Sequence, residues 1–131
     1  MRTSVLLSGL LFVTACDESI TGPTVGLNQE FELQPGRSLV IAGAWFGIRF
    51  DGVSGDSRCP ADAICIQGGD ALVGISVIDD GQSRRLELHT GDLQPVSYDG
   101  YTIALVQLQP YPISSRTIQP DEYRATLKVT R

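Results

Sequence analysis

Apolar and polar residues alternate along most of the chain from residue 28 onward, and no stretch keeps the helical period for ten residues. Two further runs are apolar on both faces, which is typical of strands in the middle of a sheet. These patterns predict about seven short strands. The clearest segments are 30–33, 46–51, 86–89 and 123–130, which alternate, and 71–78 and 101–108, which are apolar throughout.

Turn signals separate the predicted strands. Pro35-Gly36, Asp80-Gly81 and Asp99-Gly100 are dipeptides that close hairpins or tight turns. No helical crossover lies between the strands, so neighbours are expected to pair antiparallel. The sequence therefore predicts an all-β fold over residues 28–131, a single antiparallel β-sandwich of about seven strands and of Ig-like or Greek-key type.

The first fifteen residues have a different pattern. A positive charge at Arg2 precedes an apolar run over residues 5–13. Nine residues rise about 14 Å as a helix, roughly half of a membrane's hydrocarbon core, so the run is too short to span a bilayer. The segment is typical of a secretory signal peptide.

The end of this segment, Val13-Thr14-Ala15-Cys16, resembles the bacterial lipobox, in which a peptidase cuts just before the cysteine. The resemblance implies a signal peptide over 1–15 and a Cys16 that carries a diacylglycerol thioether and an acylated amino group. Two or more acyl chains hold a protein on a membrane stably. The alternative is an ordinary signal peptide followed by a free cysteine.

Residues 16–27 are polar, contain Gly and Pro, and follow neither period, so they predict a flexible tether behind the lipidated cysteine. The chain has 10 Lys and Arg against 15 Asp and Glu. Such an acidic chain is a poor binder of nucleic acid and of anionic lipid. We therefore expect attachment through the N-terminal acyl groups, no nucleic-acid partner, and a place in the bacterial cell envelope facing the periplasm or the exterior.

The cysteine count bears on the fold of the domain. The three cysteines are Cys16, Cys59 and Cys65. If Cys16 carries lipid, the other two remain as a pair that an oxidising compartment would close into a disulfide. A metal or redox pair is the alternative, although five intervening residues differ from the C-x-x-C of those sites.

Two stretches break the alternation, residues 51–70 and the proline-rich connection 109–122. Binding residues concentrate on loops that a rigid scaffold holds, so these stretches are the expected contact surfaces. The alternative is that a disulfide in the first stretch only protects a long loop from fraying and proteolysis. Arg58 and Tyr111 are the candidate contacts. Arg58 either organises its loop by hydrogen bonds to Asp56 and Asp62 or captures a ligand. Trp45 is expected to face outward, as a cover for a sandwich edge or as a binding hot spot.

The first loop carries a family resemblance. Asp56-Ser57-Arg58-Cys59-Pro60, followed by Cys65-Ile66 and Gly69, resembles the D-S-R-C-P…C-[IV]-W-A-G signature of small bacterial envelope proteins, many of them lipoproteins. The similarity covers roughly residues 29–131, and Gln67-Gly68 stands where the family often has Trp-Ala. The resemblance implies an extracytoplasmic β-domain with a disulfide-clipped loop, and it implies no reaction.

Candidate catalytic and metal-binding groups are few. The spacing of Asp51, Asp56, Asp62 and Asp70 does not match the calcium loop of an EF-hand, and His89 lies on the predicted outer face of a strand. No nucleophile elbow or phosphate loop is present in the sequence, and no cofactor is expected. The sequence favours a non-catalytic binding module with an envelope protein as its partner. The alternatives are a protease-inhibitor-like sandwich, by fold analogy alone, and a metal-binding or enzymatic envelope protein.

Overall fold

The computed structural model describes residues 22–131, which form nine strands in two sheets. The predicted signal peptide, Cys16 and residues 17–21 of the predicted tether lie outside the described residues. The two sheets confirm the all-β sandwich. The elements are β1 (Thr24–Val25), β2 (Glu30–Leu33), β3 (Ser38–Ile41), β4 (Gly47–Asp56), β5 (Ala71–Asp79), β6 (Gln82–His89), β7 (Val96–Tyr98), β8 (Tyr101–Gln109), a 3-10 turn (Pro120–Glu122) and β9 (Arg124–Thr130).

The first sheet has the order β1-β3-β4-β5-β6. Strands β3 to β6 follow one another as an antiparallel meander, and β1 pairs parallel with β3 at the edge. β5 lies between β4 and β6, and seven of its nine residues are buried.

The second sheet has the order β2-β9-β8-β7. β7, β8 and β9 are consecutive, whereas β2 comes from near the start of the domain to pair with β9, where Phe31 lies opposite Leu127. A strand that is distant in sequence and lies beside a three-strand meander is a feature of Greek-key arrangements.

The core lies between the two sheets and consists of the inward side chains of the alternating strands. Phe46 in the β3–β4 turn and Phe50 in β4 are fully buried. Ile75, Ile103 and Leu127 belong to the same core. The ring of Phe46 also meets the rings of Tyr98 and Tyr101 edge to face, with centroids 5.3 and 5.4 Å apart. These contacts join the two sheets across the core.

The two ends of the sandwich differ in their connections. At one end, here called the hairpin end, the connections are residues 42–46, 80–81 and 99–100. Asp80-Gly81 and Asp99-Gly100 have positive φ at both positions, as two-residue hairpins of type I′ require. At the other end, here called the loop end, lie residues 57–70, 90–95 and 110–123, which are much longer connections.

β4 is longer than the alternation predicts. It continues to Asp56, and its register against β5 shifts between Phe50 and Gly52 and between Val53 and Gly55. Each shift adds a residue that interrupts the alternation of apolar and polar positions. Because strands are predicted from that alternation, this part of β4 is not predicted. The predicted loop 51–70 is therefore wrong in its first six residues, and the clipped loop, as we call it from here, is residues 57–70.

Two further differences concern short strands. β1 falls within the predicted tether 16–27, so residues 24 and 25 belong to the sheet. β7 has three residues and was not among the predicted strands. Strands of two or three residues are too short to show a period of two, and the count is nine strands instead of about seven.

Candidate functional site

Arg58 is the buried centre of the loop end, with 8% of its surface exposed. Its Nε and one terminal nitrogen donate to the two carboxylate oxygens of Asp56, at 2.9 and 2.7 Å. The guanidinium also donates to the backbone carbonyl oxygens of Leu108 and Pro110, at 2.9 and 3.0 Å. One side chain therefore fastens the clipped loop to the end of β8 and to the proline-rich connection.

Asp56 is held as a carboxylate by these contacts. Burial opposes its ionisation, but the hydrogen bonds from the Arg58 side chain and backbone and from Tyr123 outweigh that effect and lower the pKa of Asp56. The Tyr123 hydroxyl donates to Asp56 at 2.9 Å. Burial and this bond raise the pKa of Tyr123 to about 12. Asp56 is thus the acceptor that joins Arg58 to Tyr123, the residue before β9.

The base of the clipped loop is closed by close contact between Ser57 and residues 69–70. The Ser57 backbone N–H donates to the Asp70 carbonyl at 2.7 Å, and the Ser57 hydroxyl accepts from the Asp70 N–H at 3.0 Å. Gly69 lies so close that a Cβ there would be 1.4 Å from the Ser57 carbonyl oxygen. Only glycine fits this position without moving the backbone.

A second set of bonds joins the clipped loop to the proline-rich connection. The Asp62 carboxylate accepts from the Ser114 N–H and hydroxyl, at 2.8 and 3.0 Å, and the Ala61 N–H donates to the Pro112 carbonyl at 2.8 Å. The Ser114 bonds lower the pKa of Asp62. Arg58 therefore organises its loop through Asp56, as expected, but the expected bond to Asp62 is wrong, because Asp62 binds across to the other loop.

His89 joins the third connection of the loop end to the base of the clipped loop. Its Nδ1 donates to Asp70 at 2.6 Å, and its Nε2 lies 3.1 Å from Glu87. Asp70 also accepts from the Gly91 N–H at 2.7 Å, and this bond, with the His89 contact, lowers the pKa of Asp70. The bond to Asp70 and the nearby carboxylates raise the pKa of His89.

The disulfide between Cys59 and Cys65 is present and confirms the predicted pair. It closes a short ring within the clipped loop. On and beside this ring, the side chains of Ile64 and Ile66 are fully exposed to solvent. Full burial of such a side chain is worth about 1.5–3 kcal/mol, so two exposed isoleucines on a covalently closed loop are an unusual arrangement.

A concave site lies beside the disulfide. It has a volume of about 380 Å³ and is walled by the clipped loop, by residues 90–93 and by residues 105–109 at the end of β8. Leu93, Val106 and Tyr111 contribute exposed apolar surface to it. Val106 lies at the register shift of β8 between Leu105 and Gln107, and such bulges redirect a side chain at the edge of a site.

The three candidate contact residues lie in different settings. Arg58 is enclosed by its own bonds, and the ring of Tyr111 covers it, with 5.4 Å between the guanidinium carbon and the ring centroid. Tyr111 is more than half exposed. Trp45 faces outward as expected, but it lies at the hairpin end, away from the other two, and its 88% exposure shows that it covers no edge of the described sandwich.

Sequence reasoning missed Ile64, Ile66 and Leu93 as surface residues. Apolar side chains are normally assigned to the core, and that rule places all three inside. A usable signal was present, because Ile64 and Ile66 flank a cysteine inside a stretch with no period, where no strand face exists to bury them.

The four aspartates of the predicted loop 51–70 do not form one site. Asp51 and Asp56 are in β4, whereas Asp62 and Asp70 are in the clipped loop and bind separate partners outside it, Ser114 and Gly91. Asp51 instead belongs to a polar cluster on the outer face of the first sheet, where it accepts from Arg49 at 2.9 Å and from Ser76 at 2.6 Å. Among residues 22–131, no three His, Cys, Asp or Glu side chains are grouped to hold a metal ion.

Within the same described part of the chain, no helix is long and apolar enough to cross a membrane. No protein-family model, no curated protein and no solved structure matches this chain.

Proposed function

We propose that this protein is a lipid-anchored component of the bacterial cell envelope whose β-sandwich binds a partner protein, without catalysis, through its loop end. The observation that carries the binding role is the pair of fully exposed isoleucines, Ile64 and Ile66, on a loop that a disulfide and Arg58 hold in place. The anchor rests on the order of charge, apolar run and small residues before Cys16.

The loop end has the properties of a preformed binding surface. Three connections are tied to one another by Arg58, by the Asp62–Ser114 bonds and by the Gly91–Asp70 bond. A surface fixed in this way loses little conformational entropy when a partner binds, so its apolar contacts contribute more fully to affinity. Ile64, Ile66, Leu93 and Tyr111 would be the apolar centre of the interface, and the surrounding polar residues its rim.

The residues that carry the family resemblance support a binding role over a catalytic one. Asp56, Ser57, Arg58, the cysteine pair and Gly69 are all used in building the clipped loop. Each of them is engaged by another part of the chain, and none is a nucleophile beside a base. We therefore infer that the signature residues set the shape of the clipped loop. The exposed side chains of that loop would bind the partner.

Partner binding is tested by placing negative charges at the tip of the loop. In the lipidated protein purified from cells, Ile64→Asp with Ile66→Asp should abolish capture of a partner that the parent protein retains from detergent-solubilised envelopes. The control, Gln82→Asp with Ser83→Asp, adds the same two charges on the exposed β6 edge and should capture normally. Equal capture by both variants would exclude the loop tip as the interface.

The anchor is tested separately. Cys16→Ala should accumulate as an uncleaved precursor that takes up no labelled fatty acid, whereas the parent protein is cleaved and labelled. Normal cleavage and labelling of the variant would contradict lipidation at Cys16.

A protease is one class of partner that fits this loop. A covalently closed ring with exposed aliphatic side chains could insert those side chains into a protease's substrate cleft. The same Ile64→Asp and Ile66→Asp variant decides the matter. If the captured partner is a protease, the parent protein should inhibit its peptide hydrolysis and the variant should not.

A further inference from the structure

Trp45 is an exposed aromatic side chain that the loop end does not use. It lies in the β3–β4 turn at the hairpin end, with 88% of its surface exposed. Its backbone has a φ of 61°, in the left-handed region that bulky residues rarely adopt. A strained conformation that directs a large apolar side chain into solvent points to a role for that side chain at the surface.

The surface around Trp45 carries no charged residues in its two main segments. Residues 42–45 and 22–29 contain only Gly, Ala, Pro, Thr, Val, Leu, Asn, Gln and the tryptophan itself. The two segments are neighbours, because the Ala42 N–H donates to the Val25 carbonyl at 2.7 Å. The nearby Tyr101 hydroxyl donates to the Gly43 carbonyl at 3.3 Å, and the Arg131 guanidinium lies over that tyrosine ring.

The start of the described chain is next to this surface. Gly22 lies beside the backbone of Ser38 and leads directly into β1, the edge strand that borders the Trp45 turn. Five residues separate Gly22 from Cys16, and six extended steps reach at most about 20 Å. A lipid anchor at Cys16 would therefore keep the β1 edge close to the bilayer.

The loop end is farther from this attachment point. Through the strand pairing, Gly22 lies level with Ser76, which is five residues along β5 from Ala71 and the loop end, or roughly 17 Å. Ile64 and Ile66 belong to the clipped loop at that end. Only a tether stretched along the strand axis would bring them to the bilayer, whereas the Trp45 turn adjoins the strand that the tether enters.

We propose that the surface formed by residues 22–29 and 42–45 lies against the membrane and that Trp45 enters the headgroup region. This inference rests on the proposed lipid anchor at Cys16. Tryptophan is the side chain most suited to that region, because its ring is apolar and its N–H remains hydrated. In this orientation the loop end is free to meet its partner.

The test uses the fact that Trp45 is the sole tryptophan of the chain. The lipidated protein is reconstituted into vesicles of phosphatidylcholine and phosphatidylethanolamine. Flotation first shows whether the protein is bound to the vesicles. Vesicles with brominated acyl chains should then quench most of the Trp45 fluorescence, and the emission maximum should move to shorter wavelength than in detergent-free buffer.

The matched control moves the probe to the loop end. Trp45→Phe with Leu93→Trp places a tryptophan at a position that is 63% exposed, and its fluorescence should be unaffected by brominated lipid. Flotation without quenching of Trp45, or equal quenching of the Leu93→Trp protein, would overturn the orientation while leaving the anchor intact. Failure to float would contradict the anchor, and the orientation with it.

Discussion

The hairpin end and the loop end of this sandwich are held by different kinds of interaction. At the hairpin end, short turns depend on local backbone conformation, as at Asp80-Gly81 and Asp99-Gly100. At the loop end, the connections are long, and contacts between residues about fifty positions apart fix them, such as Arg58 to Leu108 and Asp62 to Ser114. The difference indicates that the two hairpins need only local interactions, whereas the loop end is stabilised by contacts between distant parts of the chain.

The largest effect is expected from removing the centre of the loop end. Arg58→Met would remove the cation paired with the Asp56 carboxylate, whose side chain is 12% exposed, and the bonds to two carbonyl oxygens, while the Tyr123 hydroxyl would still donate to Asp56. Breaking a buried ion pair on one side costs about 3–5 kcal/mol, and urea unfolding should show a loss of that size. Arg84→Met, an exposed position on β6, is the control and should change stability by less than about 0.5 kcal/mol.

The Arg58→Met comparison also has a defined pH dependence. Because the folded-state pKa of Asp56 lies below its ordinary value of 3.8, its contribution is complete above that pH and is lost as the pH falls through the folded pKa. The difference in stability between the parent and Arg58→Met should therefore shrink in acid. A difference that stays constant down to pH 2 would show that the ion pair is not its cause.

The two ends should respond differently to the same change at glycine. Gly69→Ala places a Cβ against the Ser57 carbonyl and should cost about 3 kcal/mol, at the upper end for overpacking. Gly100→Ala meets no atom within 4 Å but has a φ of 78°, so only conformational strain of about 1 kcal/mol is expected. Thermal unfolding of the two variants measures both, and equal losses would contradict the steric account of the loop base.

A smaller effect is expected from opening the ring. Cys59→Ala with Cys65→Ala should lower the free energy of unfolding by about 2 kcal/mol, because the loop that the disulfide closes is short. Unfolding of the parent protein with and without reductant provides an independent measurement. A loss above about 4 kcal/mol would mean that the disulfide supports the whole sandwich and not only its loop end.

The smallest effect concerns the pair of His89 and Asp70. The folded-state pKa of His89 is raised above its ordinary value of 6.5. The His89 contact therefore adds to the free energy of unfolding below pH 6.5, and this stabilisation is lost as the pH rises through the folded-state pKa. The pKa of Asp70 is lowered from its ordinary value of 3.8, so its carboxylate stabilises the folded state above pH 3.8. The pair should therefore stabilise the loop end most between these values, and His89→Gln should remove the loss above pH 6.5. An unchanged pH profile in that variant would exclude the pair as its source.

Much of the fold follows from local pattern. The alternation at residues 123–130, the apolar run at 71–78 and the Asp-Gly turns identify strands and hairpins because each depends on neighbouring residues only. β4 beyond Phe50 was missed because its two register shifts disturb the period. β1 was missed because its stability comes from pairing with β3, which no local pattern records.

The candidate site was less predictable for a related reason. The cysteine pair could be identified by counting, and Arg58 by the acidic residue two positions before it. The acceptors at Leu108 and Pro110 are backbone carbonyls about fifty residues away and have no sequence signal. The exposure of Ile64 and Ile66 is a property of the folded loop, since the same residues in a strand would be part of the core.

The central claim, that the loop end meets a partner and the hairpin end does not, is tested most directly by photo-crosslinking in cells. A photoreactive amino acid is placed at Ile64, at Leu93 and, at the hairpin end, at Asp80, each in the full-length, lipidated protein. The account predicts one discrete protein adduct that positions 64 and 93 share and that position 80 lacks. The same adduct from position 80, or adducts from position 80 alone, would contradict it.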